Sequence, residues 1–157
     1  VLDVCQHADW HTFQLLTKNA PRLRRFHFPP NVWIGASAPP SQMFGHSLSV
    51  DQQKRMLQTT LRILADIDVR VRWLSIEPLS FNVAPLLKQS HLDWAIIGAA
   101  TNGRKTYQPR AEWIQFALDV LDAQGTAVFF KGNLEWSLWR EEYPAAGPNM
   151  SPQLVMF

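Results

Sequence analysis

The chain has 157 residues, of which 46% are hydrophobic and 18% charged. This is the composition of a folded globular domain and excludes an intrinsically disordered one. Fifteen Lys and Arg against thirteen Asp and Glu leave a formal charge of +2, too small an excess to argue by itself for a nucleic-acid partner.

The single cysteine, Cys5, excludes a disulfide framework and a multi-cysteine metal site built from this sequence alone. No apolar run nears the roughly 20 residues that span a bilayer, so no membrane contact is expected. The N-terminus has no signal-peptide pattern, and the expected setting is cytoplasmic. Length predicts one domain over residues 1–157, with a Pro-rich tail over 141–157. The opening "VLDVCQHA" lacks Met and reads as the last turns of a helix. The expectation is the C-terminal portion of a longer barrel.

In chain order, Cys5 stands among Leu2, Val4 and Ala8 on that first helix, as a packed thiol. "HTFQLLT" (residues 11–17) is the first predicted strand. A short helix follows Asn19, with Leu23 and Phe26 inward. "NVWIGAS" (31–37) is the second strand, leading into the Pro-rich loop "SAPPSQMFGHS". In "LSVDQQKRMLQTTLRILADI", Leu57, Leu61 and Leu64 fall on one helical stripe that Ile67 continues. Ser49 followed by Gln52 has the capping-box spacing, in which each side chain satisfies a free backbone N–H. "RWLSIE" (72–77) is the third strand, and "NVAPLLKQ" adds a turn or two of helix. "DWAIIGAA" (93–100) is the fourth strand. "PRAEWIQFALDVLDAQG" is a helix burying Trp113, Phe116, Ala117, Val120 and Leu121, with Gly125 as its left-handed stop. "TAVFFK" (126–131) is the fifth strand, and "LEWSLWREEY" reads as a terminal helix. Most of the seven tryptophans belong in the core, and Trp136 and Trp139 dock on its wall.

Five apolar runs, several apolar on both faces, suit a parallel sheet covered by helices. Strand–helix alternation gives an α/β fold with about five parallel strands and right-handed crossovers. A doubly wound sheet and a (β/α) barrel both fit. No Gly-x-Gly-x-x-Gly follows any strand, which weighs against dinucleotide binding.

Ligands of α/β folds bind at the carboxyl ends of the strands. The five predicted strands deliver Lys18, Ser37, Glu77, Gly98 and Lys131 there. A carboxylate at the tip of an apolar strand needs a partner, because burying it unpaired is costly. Glu77 is therefore either a ligand anchor or the structural partner of Lys18 or Lys131. With those lysines it could also run acid–base chemistry. Ser37 is a turn residue or a cofactor contact, and no nucleophile-elbow pattern surrounds it. Gly98 allows close backbone approach, by protein or by ligand. In the following loop "AATNGRK", Asn102 and Arg104 are candidate substrate contacts. His7, His11, His27, His46 and His91 show no zinc-helix spacing, so no metal site is predicted from this chain.

The segments "HTFQLLTKNAPRLRRF", "PNVWIGAS", "VRWLSIEPL", "LDWAIIGAA" and "AVFFKGN" occur in the order and spacing of one family. On these segments the chain resembles the phage- and prophage-associated gene-product-37/68 family, which looks like a branch of the radical S-adenosylmethionine superfamily. The resemblance runs to about Trp139, and "LLTK", "NVWIG" and "EPL" are its specific parts. It implies a partial (β/α) barrel. It also implies a four-iron–four-sulfur cluster on an N-terminal cysteine cluster, and S-adenosylmethionine at the rim. Lys18, Ser37, Glu77 and Lys131 would then surround the cavity, with Glu77 accepting hydrogen bonds from the amino or ribose groups of the cofactor. Two strand ends depart from the family pattern. "GAATNG" stands for Gly-Gly-Glu-Ser-Gly, with Ala100 at the acidic position, and "KGNLEW" stands for Lys-Gln-Trp-Gly. The cysteine cluster itself has no counterpart, so the cluster is expected only with a segment upstream.

The resulting expectation is the cavity wall of a phage-associated radical S-adenosylmethionine-like protein, holding a small-molecule or nucleotide ligand. Two rival readings remain. Arg22, Arg24 and Arg25 in "PRLRRF" suggest an accessory module that binds nucleic acid. "TNGRK" suggests a cofactor-independent barrel enzyme acting on a phosphorylated small molecule.

Overall fold

The computed structural model describes residues 1–145. Its elements are α1 (Leu2–His7), β1 (Phe13–Thr17), a 3-10 helix (Ala20–Arg25), β2 (Val32–Ser37), β3 (Gln42–Met43), β4 (His46–Ser47), α2 (Val50–Asp66), β5 (Arg72–Ile76), α3 (Ala84–Leu87), β6 (Trp94–Ile97), β7 (Ala100–Asn102), β8 (Lys105–Tyr107), α4 (Ala111–Ala123) and β9 (Ala127–Phe130). No helix among the described residues is long and apolar enough to cross a membrane.

The five predicted strands form one parallel sheet in the order β1-β2-β5-β6-β9. That order follows the chain without reversal. Right-handed crossovers therefore all lie on the same side of the sheet. The packing agrees. Val32, Ile34, Ala36, Leu74, Ile76, Ala95, Ile97, Val128 and Phe130 meet the helical residues Leu57, Leu61, Leu64, Leu87, Ile114, Ala117 and Leu121 in one core. A doubly wound sheet, which reverses its order and carries helices on both faces, is thereby ruled out. The sheet does not close on itself: β1 and β9 are its two margins.

Among the described residues the opposite face has no helix. It is filled by Trp33, Val71, Trp73, Trp94 and Ile96, with Ala127 and Phe129 against them. Trp73 sits beside Gly35 in the β2–β5 register. A Cβ on Gly35 would lie 2.2 Å from the Trp73 indole, so only glycine lets the ring lie flat across the neighbouring strand. Trp94 is the hub of the cluster. Its ring centroid is 5.4 Å from Trp73, 6.2 Å from Trp33 and 5.5 Å from Tyr143.

Helix α2 is capped as predicted: Ser49 Oγ accepts from the Gln52 N–H, and Gln52 Oε1 accepts from the Ser49 N–H. Cys5 is buried in the main core, and Gly125 has the left-handed φ of +68°. Asn31, at the start of β2, donates to the carbonyls of Cys5, Ala8 and His11 and ties the end of α1 to the sheet.

Several expectations are corrected. "LEWSLWREEY" forms no helix. It runs extended beside β9, where the Phe130 N–H donates to Arg140 O and the Glu142 N–H to Val128 O. Satisfying the open backbone groups of an edge strand outweighs the helical pattern there. Trp136 packs against the main core as expected, but Trp139 is half-exposed, with its ring edge-on to Phe130. Phe116 points outward, because α4 buries Ile114, Ala117, Leu118 and Leu121 instead. Phe26 is also exposed, and the segment before it is a 3-10 rather than an α-helix. Both loops read as irregular contain antiparallel hairpins, β3–β4 and β7–β8. Of the tail expected over 141–157, residues 146–157 lie outside the described residues.

Replacing Gly35 with Ala forces a methyl into the Trp73 ring. The variant should lose about 2 kcal/mol or more of stability, as overpacked cores do, seen as a lower urea midpoint with an unchanged m-value.

Candidate functional site

Each parallel strand ends with its side chains alternating between the two faces. Residues Ser37, Ser75, Ile96 and Phe129 share the helix-free face with the tryptophans. One step further, Glu77, Gly98 and Lys131 follow in line at the carboxyl ends of β5, β6 and β9. The backbone continues the ladder there, with the Gly98 N–H on Ile76 O, the Lys131 N–H on Ile97 O and the Leu79 N–H on Gly98 O.

Glu77 is the centre of this rim. Its Oε1 accepts from Ser75 Oγ at 3.1 Å, and its Oε2 lies 3.7 Å from Lys131 Nζ. The Glu77 side chain retains 28% of its exposure and Lys131 50%, so the pair is open to solvent. An ion pair so exposed and so long adds about 1 kcal/mol at most. The Glu77–Pro78 peptide is cis. Gly98 lies between the two charged side chains: a Cβ there would be 3.0 Å from Glu77 Cγ and 3.2 Å from Lys131 Cβ. Its missing side chain is what allows Lys131 to reach across β6.

Lys18 and Ser37 stand apart from that pair. They line a depression of about 20 Å³ with Ala38, Pro39, Pro40, Met43, Met56 and Thr60. Lys18 is exposed and has no ion-pair partner among the described residues. Asn102 and Arg104 are exposed on the β7–β8 hairpin, which rises from the same rim after β6. Of the basic cluster, Arg24 is held by Asp66 at 2.9 Å, and the Arg22 guanidinium lies over the Phe26 ring at 5.9 Å. Arg24 thus fastens the 3-10 segment to the end of α2.

Three polar residues support the rim in roles that the sequence did not assign to them. Asn133 pairs with the Ala99 backbone through both amide atoms, at 3.2 and 2.9 Å. Gln108 clasps the same loop, donating to Asn133 O and accepting from the Glu135 N–H. Together they anchor the base of the β7–β8 hairpin to the loop after β9. Gln53 is almost fully buried and donates to Pro39 O and Ser80 Oγ, joining the loops after β2 and β5. Gln53 did leave a trace. It lies four residues before Leu57 on the apolar stripe of α2, a position where a polar residue must find buried partners.

A cavity of about 610 Å³ opens at the other end of the sheet, lined by Arg70, Asp93, Asp122, Thr126, Arg140, Glu142 and Tyr143 among others. Arg140 is the hinge of its charge network, 2.7 Å from Asp122 and 2.8 Å from Glu142. The hydrogen bonds that Arg140 donates to the Glu142 carboxylate raise its guanidinium further above the usual value. The same bonds, helped by the Val128 N–H, hold Glu142 below the usual carboxylate value. This network clamps the extended segment 140–143 to β9 and, through Trp94 Nε1 on Glu142 O at 2.8 Å, to the aromatic face.

A carboxyl whose folded pKa is depressed stabilises the fold above its unfolded pKa, and that contribution disappears as pH falls through the folded value. The Glu142 contribution should therefore be present at neutral pH and fade below the ordinary value of 4.5. Glu142→Gln should lower the neutral-pH stability by a small amount, about 1 kcal/mol or less, seen as a lower urea midpoint, and flatten the acid limb of stability against pH.

A family model described as a protein of unknown function, DUF5131, covers residues 1–151. No curated protein and no solved structure matches the chain. With the match reaching from α1 past β9 and the 140–143 clamp, the chain belongs to the DUF5131 family, whose function is unknown.

Proposed function

We propose that the chain is the ligand wall of a partial (β/α) barrel of the radical S-adenosylmethionine type, holding a nucleoside-bearing cofactor and its substrate at the carboxyl rim of the sheet. One observation carries this reading. Among the described residues all helices lie on one face, so the rim of the other face presents Glu77 and Lys131 to solvent, with the buried Ser75 supporting Glu77 from below. A sheet so arranged suits the inner wall of a partial barrel better than the middle layer of a three-layer sandwich.

Within this reading Glu77 accepts hydrogen bonds from an amino or ribose hydroxyl group. Ser75 fixes one of its oxygens and Lys131 the other. Lys131 and Lys18 balance a ligand carboxylate. Ser37 and the Gly98 backbone offer polar contacts on either side, and Asn102 and Arg104 reach the substrate from the hairpin.

The iron–sulfur cluster that such chemistry requires does not fit the residues present. The sequence has one cysteine, which is buried, and the described residues contain no group of three or more metal-ligating side chains. A single thiolate does not hold such a cluster. The proposal therefore gives this chain binding and positioning, and no step through the cluster.

Calorimetric titration of S-adenosylmethionine into the chain and into Glu77→Gln tests the reading. Binding to the first and none to the second is expected, with the unfolding midpoint nearly unchanged because the Glu77–Lys131 pair is exposed. No binding to either, or equal binding to both, overturns it.

A further inference from the structure

Two hairpins leave the carboxyl rim, β3–β4 after β2 and β7–β8 after β6, and β5 with Glu77 lies between their roots. Neither segment, 38–49 or 99–108, contains a carboxylate. Arg104 and Lys105 are exposed and have no ion-pair partner among the described residues. In the β7–β8 register Ala100 is opposite Tyr107 and Asn102 is opposite Lys105. Opposed residues share a face, as do residues two apart, so Tyr107, Lys105 and Asn102 stand side by side on one face of the ribbon. Tyr107 is 54% exposed.

The other hairpin turns on Phe44 and Gly45, with φ of 50° and 79°. Positive φ at both central residues defines the type I′ turn, which favours Asn, Asp or Gly. An aromatic residue in that region is a strained choice. Phe44 is also 80% exposed, so burial returns nothing for the strain. The fold has no use for a ring at this tip.

We propose that the two hairpins form a cradle for single-stranded nucleic acid, with Phe44 and Tyr107 stacking on bases and Arg104 and Lys105 meeting phosphates. This names a substrate class for the rim and rests on that rim being the ligand site. The aromatic platforms rise from strands two positions apart, about 10 Å at the sheet spacing, wider than one base. That favours a polymer over a single nucleotide. Stacking on both rings needs unpaired bases, which a duplex withholds.

Fluorescence anisotropy of a labelled thymidine oligonucleotide, at rising salt, tests the cradle in the 157-residue chain. Binding is expected, with log affinity falling linearly against log salt. Phe44→Asn should weaken binding roughly tenfold while raising the melting temperature, because Asn accepts the left-handed turn. The Arg104→Ala, Lys105→Ala double variant should reduce the salt slope by about 1.4. Phe44→Asn should bind S-adenosylmethionine as the parent does. Undiminished oligonucleotide binding by Phe44→Asn, or equal affinity for a duplex, overturns the cradle. So does the absence of oligonucleotide binding in a chain that binds S-adenosylmethionine, which leaves the cofactor reading standing. Oligonucleotide binding that is lost in Phe44→Asn, in a chain that ignores S-adenosylmethionine, upholds the cradle and overturns the cofactor reading.

Discussion

The contact between Gly35 and Trp73 shows how the two faces of the sheet solve different problems. Strand order runs with the chain, so every crossover places its helix on one side. The helix side is covered by ordinary aliphatic packing. Among the described residues the other side carries no layer of secondary structure, and it is sealed by rings lying against one another. Trp73 lies flat only because its neighbour in register lacks a Cβ. Remove that allowance and Trp73 must lift, taking with it the contact to Trp94 and the seat of the segment that Trp94 holds.

The same use of glycine recurs at the rim. Gly98 opens the space through which Lys131 approaches Glu77 across an intervening strand. Glycines at two levels of the same face therefore do two jobs, one for an aromatic floor and one for a polar edge. The carboxylate at the tip of "WLSIEPL" is neither deeply buried nor isolated. It is steadied from below by Ser75 and from the side by Lys131, and it stays open to solvent.

Much of this was legible in the sequence. The five strands were found in order because each is an apolar run with β-branched or aromatic residues, bounded by turn chemistry. The capping box of α2 was read correctly because it is local, fixed by Ser49 and Gln52 alone. The strand order was not legible, since a doubly wound sheet and a barrel use the same alternation. Residues 134–143 misled because Trp136 and Trp139 sit at helical spacing, whereas the deciding force is the open margin of β9, which no local pattern reveals. Phe116 misled in a similar way. Its helix has apolar residues on more than one side, and the smaller Ala117 and Ile114 fit the sheet more closely. At the candidate site, Glu77, Gly98 and Lys131 could be named from strand ends, but Asn133 and Gln108 act through backbone groups of distant loops and leave no pattern.

The clamp beside β9 gives the sheet a direction. On that margin the outward N–H groups of Val128 and Phe130 are already taken by Glu142 Oε2 and Arg140 O. Beside β1 no described strand pairs with the outer edge, and Gln14 and Leu16 are exposed along it. One margin is finished and the other retains its donors and acceptors. Among the described residues the β1 margin is the one left open beside a sheet strand, and a strand joining there would extend the aromatic face from the Gln14–Leu16 side.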